Sequence, residues 1–288
     1  MKALLPQQHF EVDGLVYSGL SWGDPSLPVA LALHGWMDNA ASFSQLGPRL
    51  KNRQLIALDL SGHGLSGRRS ADATYQIWDD IPQLVGIIDQ LGCTKVSLIG
   101  HSRGAAIAAL LAVVLGERCD HLVMIDGLLP AAIEAEDAPR QLARFVHERQ
   151  KYAARSDRYF DSLEAFVEKR AQYGFSKENG RVFAERSLEK TAHGFRMRND
   201  PRLFGASAVK LDPIMCVQFY RSITAPTLFI MGDDGFFKNE PGQRMRDDVA
   251  SEILNFRSAT LPGGHHLHLE DAAELVALRI NTFLETSQ

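Results

Sequence analysis

Cysteine is scarce in this sequence, basic excess is missing, and no long apolar run is present. Cys93, Cys119 and Cys216 are odd in number, widely scattered and without metal-type pairing. That excludes a disulfide framework and leads to the expectation of reduced thiols in a cytoplasmic protein. Lys and Arg number 31 against 35 Asp and Glu, a net charge of −4, so the footprint of a nucleic-acid binder is lacking. No run approaches the roughly 18 apolar residues of a membrane span, and Met1–Pro6 lacks the apolar stretch of a signal peptide. With 45% hydrophobic and 23% charged residues, disorder, collagen and coiled coil are excluded as well. The length of 288 residues suits two domains or one large α/β domain with an insertion.

Short apolar runs recur in a regular rhythm: Val29–Leu33, Leu55–Leu58, Val96–Ile99, Leu122–Ile125 and Thr227–Met231. Continuous apolar character predicts strands of a parallel sheet buried on both faces. Between them the spacing is helical, as in Phe43, Leu46 and Leu50, or Ile77, Ile81, Leu84, Ile88 and Leu91. An Ala- and Leu-rich helix is predicted over Ala105–Leu115, and a last one from about Asp271 to Glu285. Phe10–Tyr17 alternates around Asp13-Gly14, which predicts an antiparallel hairpin. Alternating strand and helix gives a mostly parallel sheet with helices on both faces. From Leu128 to about Arg221 the strand rhythm stops and only helical spacing remains. Residues 131–222 carry 17 Lys and Arg against 13 Asp and Glu, while the rest of the chain has 14 against 22. The expected organisation is a sheet domain of residues 1–127 and 223–288, interrupted by a basic helical cap over 128–222.

Chemistry concentrates in two places. Gly100-His101-Ser102-Arg103-Gly104 is a G-x-S-x-G that follows a predicted strand and opens a predicted helix. On such a turn a serine projects its hydroxyl above the sheet edge, and the helix N-terminus beneath it favours developing negative charge. The bland alternative is a glycine-rich turn with a capping serine. A serine hydroxyl needs a base to take its proton, and Gly263-Gly264-His265-His266-Leu267-His268 offers three imidazoles. His265, directly after the Gly-Gly turn, sits where a loop can swing it toward Ser102. A surface cluster or a metal site are the alternatives, but the spacing matches no usual ligand pattern.

Together with Leu33-His34-Gly35-Trp36, Asp59-Leu60-Ser61-Gly62-His63-Gly64-Leu65-Ser66 and Pro226–Gly232, these motifs resemble the α/β-hydrolase fold superfamily in order and spacing. His34–Ala40 and Phe195–Leu203 are most similar to its serine hydrolase-like group. The resemblance implies an oxyanion hole formed by the backbone N–H groups of Trp36 and Arg103. It also implies a carboxylate that fixes the His265 tautomer. The family's usual count from the glycine ending the penultimate strand lands on Gly235. Aligning Asp234-Gly235-Phe236-Phe237 instead makes Asp234 the expected acid. Asp126, at the end of the strand Leu122–Ile125, is the alternative that some members use, with Asp233 behind both.

Gly62-His63-Gly64-Leu65-Ser66-Gly67 is also a literal dinucleotide-binding pattern. The loop-like Arg68-Arg69-Ser70 that follows argues against it, because the third glycine should open an apolar helix. Within the insertion, Arg196, Arg198 and Arg202 are candidates either for a substrate carboxylate or for docking the cap. Phe145, Phe166, Tyr173, Phe175 and Phe195 are candidates for an apolar acyl pocket or for the cap's own core. The expected activity is hydrolysis of carboxylic esters through Ser102, His265 and Asp234, on a small-molecule substrate with an apolar acyl part. Neither cofactor, metal, nucleic acid nor membrane span is expected. A C–C bond hydrolase with the same triad, or a ligand-binding protein of little turnover, stands as the rival.

Overall fold

A computed structural model describes residues 7–286; Met1–Pro6, read above as lacking a leader, lie outside the described residues. β1 (Gln7–Val12) and β2 (Leu15–Trp22) form the antiparallel hairpin over Asp13-Gly14. β3 (Val29–Leu33), β4 (Gln54–Leu58), β5 (Val96–His101) and β6 (Cys119–Ile125) follow. Next come three short strands, β7 (Tyr159–Phe160), β8 (Leu188–Thr191) and β9 (Gly194–Met197), before β10 (Thr227–Asp234) and β11 (Phe256–Gly264). Eight strands make one sheet in the order β1-β2-β4-β3-β5-β6-β10-β11. Pairing is parallel from β4 through β11 and antiparallel at the β1–β2 and β2–β4 edges.

Alternation along each strand builds two cores, because successive side chains point to opposite faces. Leu31, Leu33, Ile56, Leu58, Phe229 and Met231 bury into one face, under α1 (Ile81–Gln90) and α2 (Arg103–Leu115). Ala30, Ala32, Leu55, Ala57, Leu228 and Ile230 bury into the other.

The chain leaves the sheet at Ile125 and returns at Thr227, yet β6 and β10 are neighbours, with Ile230 opposite Ile125. Between them lie α3 (Ala138–Ala153), α4 (Leu163–Ala171), α5 (Lys177–Ser187) and α6 (Pro213–Arg221). The segment is not purely helical, contrary to its spacing. β7, β9 and β8 form a small antiparallel sheet whose strands of two to four residues are too short to carry a periodic signal. Tyr220 of α6 belongs to the core of the large sheet. α7 (Glu240–Glu252) and α8 (Ala273–Thr286) complete the chain, and Val276, Ile280 and Phe283 of α8 close the second face. Phe43, Leu46 and Leu50 are buried as their spacing suggests, but Phe43 ends one 3-10 turn while Leu46 and Leu50 flank another, since Gly47-Pro48 interrupts any helix there. Among the described residues no helix is long and apolar enough to cross a membrane.

Candidate active site

The turn from β5 into α2 carries Ser102 at φ 52, ψ −120, a strained conformation for a residue with a side chain. Backbone bonds hold it there: Ser102 N–H donates to Ile125 O at 2.9 Å, and Ser102 O accepts from Ala105 N–H at 2.9 Å. A Cβ at Gly104 would stand 2.0 Å from Leu33 O, so only glycine lets α2 start this close to β3. The Arg103 side chain turns away and donates to Tyr75 O at 2.7 Å.

The neighbouring loop is fixed from within. His34 is fully buried and accepts the Leu60 N–H on Nε2 at 2.9 Å, so its Nδ1–H donates to Gly35 O at 2.7 Å. Trp36 follows, half exposed, its indole N–H on Leu203 O at 2.9 Å and its ring edge-on to Phe204. Its side chain therefore lies against the inserted segment and not in the core.

Asp126 directly follows β6 with φ 42 and is fully buried. One carboxylate oxygen accepts the Phe236 N–H at 2.9 Å and the His265 Nδ1–H at 2.7 Å. The carboxylate that meets His265 is therefore the alternative, Asp126, and not the expected Asp234. Asp234 points outward, its side chain 73% exposed and paired with Lys238 at 2.6 Å. Asp233 accepts the Gly263 N–H at 2.9 Å. The physical reason lies at Gly235, where a Cβ would come within 2.4 Å of the Asp126 carboxylate. The space that the family count assigns to a side chain from β10 is occupied by the side chain from β6.

His265 stacks on Phe236, ring centroids 3.6 Å apart. Burial lowers its pKa below the ordinary histidine value; the Asp126 hydrogen bond works in the opposite direction. Its Nδ1–H is engaged by Asp126, which leaves Nε2 as the free lone pair. The other two histidines of the motif go elsewhere: His266 Nε2 lies 3.4 Å from Asp38, and His268 is buried with Nε2 on the Ser42 hydroxyl at 2.9 Å.

No motif in the sequence points to the cluster around Asp38. This buried carboxylate receives Arg170 from α4 at 2.6 Å and faces His101 Nδ1 at 3.6 Å. Burial disfavours its charge, but His266, His101 and Arg170 together hold its carboxyl well below the usual range. His101 donates through Nε2 to His265 O at 2.9 Å. Nitrogens of His101, His265 and His266 lie within 4.8 Å of one another, close enough to ligate one metal ion. The fold creates this grouping; spacing along the chain gives no sign of it.

Ser102 and His265 border one cavity of about 470 Å³, shared with Trp36 and Phe236. Of the aromatic candidates, Phe166 and Tyr173 line it. Phe175 is buried against His266 and Phe183, Phe195 packs in the second core, and Phe145 borders a different pocket near Tyr75. Neither Arg196 nor Arg198 lines the cavity. Arg196 is held by Glu189 and by Asp157, and Arg198 donates to Leu188 O at 3.1 Å. Arg202 joins Asp200 at 2.8 Å and the carbonyls of Arg69 and Ser70. The cations that do line the cavity are Arg158, Lys169 and Arg170. The Gly62–Gly67 loop is a structural turn, since the Asp59 carboxylate accepts the Leu65 N–H at 2.7 Å from within it.

Residues 28–272 match the family model of the α/β hydrolase fold. A serine hydrolase-like protein of Dictyostelium discoideum is 27% identical over 276 residues, covering 90% of this chain and 76% of its own. Serine hydrolase-like protein 2 of Homo sapiens is 26% identical over 281 residues, covering 92% and 89%. Among solved structures, a hypothetical protein of Pseudomonas aeruginosa PAO1 is 35% identical with a TM-score of 0.91, over 97% of this chain and 99% of that one. A thioesterase domain from the curacin biosynthetic pathway shares the fold, with a TM-score of 0.85 at 23% identity over 96% and 99%.

Proposed function

The chain belongs to the α/β hydrolase fold family and is similar to serine hydrolase-like proteins within it, and from that premise we propose that it cleaves carboxylic esters through Ser102, His265 and Asp126. The observation that carries this reading is the 2.7 Å bond from His265 Nδ1 to a buried carboxylate, beside a strained serine on the same cavity. With Nδ1–H committed to Asp126, His265 Nε2 is the base that takes the Ser102 proton as the hydroxyl oxygen attacks the ester carbonyl. The N–H groups of Trp36 and Arg103 donate to the oxyanion that forms. Collapse of the tetrahedral intermediate expels the alcohol, which receives the proton from His265. Water, activated by the same imidazole, then releases the acid from the acyl-enzyme. Asp126 stabilises the imidazolium in both halves without itself taking the proton. The segment between β6 and β10 acts as a cap, covering the cavity with Phe160, Phe166 and Tyr173 from one side.

A fluorophosphonate probe tests the nucleophile. Stoichiometric labelling of wild-type protein at Ser102, lost in Ser102→Ala, is the expected result. Failure to label the folded wild type would sink the serine-hydrolase reading.

A further inference from the structure

Arg158 and Lys169 differ from the other cations around the site. Both line the cavity that reaches Ser102, and neither has an acidic partner among the described residues. Arg170 beside them is neutralised by Asp38. Asp157, the nearest acid to Arg158 in sequence, is already engaged by Arg68 at 2.9 Å and Arg196 at 3.0 Å. The guanidinium of Arg158 lies over the Phe160 ring, 4.7 Å from its centroid, and the Lys169 ammonium lies over Tyr173 at 5.5 Å, bonded only to Gln172. Both rings belong to the same cavity wall. Stacking orients a guanidinium while leaving its N–H fork free, and that fork matches the two oxygens of a carboxylate. The one carboxylate in the cavity wall, Asp38, is already taken by Arg170 and faces His101 and His266, and much of the remaining wall is aromatic and Met, so the two cations are left to attract an incoming anion.

On the hydrolase reading, which this inference presupposes, we propose that the substrate is an ester bearing a second, ionised carboxylate. That carboxylate docks on Arg158 and Lys169 while the ester carbonyl meets Ser102. The sequence candidates Arg196 and Arg198 are excluded from this role because their partners already hold them.

Matched pairs of aryl esters test the idea: 4-nitrophenyl pentanoate against mono-4-nitrophenyl glutarate, and phenyl against 4-carboxyphenyl pentanoate. The expected result is a kcat/KM preference of about tenfold or more for the anionic member of at least one pair, the scale of one charge-assisted hydrogen bond. The Arg158→Met, Lys169→Met double variant should bring that ratio close to one. Arg144→Met with Lys210→Met, which removes the same charge away from this cavity, should leave the ratio standing. A second readout does not need turnover: Ser102→Ala should bind mono-4-nitrophenyl glutarate about tenfold more tightly than its Arg158→Met, Lys169→Met derivative in calorimetry. Equal rates within both pairs, a ratio insensitive to the double variant, or equal calorimetric affinities would overturn the assignment. Absence of both turnover and probe labelling in wild type would instead remove the hydrolase reading, and the calorimetric comparison would still decide the anion site.

Discussion

Ser102 and His265 could be picked out of the sequence because each sits in a motif whose shape follows from glycines at fixed offsets. The carboxylate that meets His265 could not be ranked on that basis. Asp126 lies outside both motifs, and the sign of its position is an absence, the missing side chain at Gly235. The Asp38 cluster was equally invisible, since Asp38, His101, Arg170 and His266 come from four separate segments. Three expectations belong to single residues. Asp126→Asn should lower kcat by about three to four orders of magnitude, through loss of the correct His265 tautomer. Asp234→Asn removes only an exposed pair with Lys238 and should leave kcat within about twofold. Steady-state kinetics on an activated ester checks the ranking, and the reverse order would return the acid to Asp234. On the proposed mechanism His265 acts as the neutral base, and burial lowers its pKa. The acid limb of kcat/KM should therefore have its midpoint below the ordinary histidine value of about 6.5. A midpoint above that value would mean that another group controls the rate.

At the scale of elements, strands buried on both faces were legible as apolar runs, and β3, β4, β5, β6 and β10 lie where those runs fall. β11 was not, because it forms the sheet edge and its residues are half-buried or exposed. The helix expected from Ile77 begins at Ile81 instead. The Asp79 carboxylate accepts the Gln76 N–H at 2.7 Å and the Thr74 hydroxyl, so side-chain bonds make a turn where the spacing alone suggests helix. The contact between α4 and the loop after β3 carries the next prediction. Arg170 reaches Asp38, whose own N–H donates to Gly35 O at 3.1 Å, closing the turn that holds Trp36. Its guanidinium also lies over Phe175 and Phe183, at 4.1 and 4.6 Å. Arg170→Met keeps much of that packing but leaves a buried carboxylate without its cation. We expect kcat to fall at least tenfold with a smaller change in KM, short of the roughly hundredfold loss from deleting an oxyanion donor outright. A rise in KM at constant kcat would make Arg170 a substrate-binding group instead of a positioning residue.

Across the whole molecule, the split between an acidic sheet domain and a basic insertion suggests attraction spread over a broad surface. The contacts are more specific than that. Arg186 of α5 enters the sheet domain, pairs with the fully buried Asp59 at 2.7 Å, and donates to the Ser18 hydroxyl at 3.2 Å. The same Asp59 carboxylate accepts the N–H groups of Ala40 and Leu65, both at 2.7 Å. A single buried acid thus ties together the loop after β3, the loop after β4 and the inserted segment. Long-range attraction between exposed charges fades within a Debye length of about 8 Å at physiological salt, whereas a desolvated pair is screened far less. Docking of the segment should therefore be nearly insensitive to salt and highly sensitive to Arg186. Arg186→Met strands a charge at full burial, a change that typically costs about 3–5 kcal/mol. Arg244→Met breaks an exposed pair with Glu240 and should cost no more than about 1 kcal/mol. Urea unfolding of the two variants at low and high salt measures both claims. Limited proteolysis adds the spatial one: in Arg186→Met, new cleavage should appear first between residues 128 and 222. If high salt loosens the wild-type segment as much as Arg186→Met does, the diffuse field holds it and the buried pair does not.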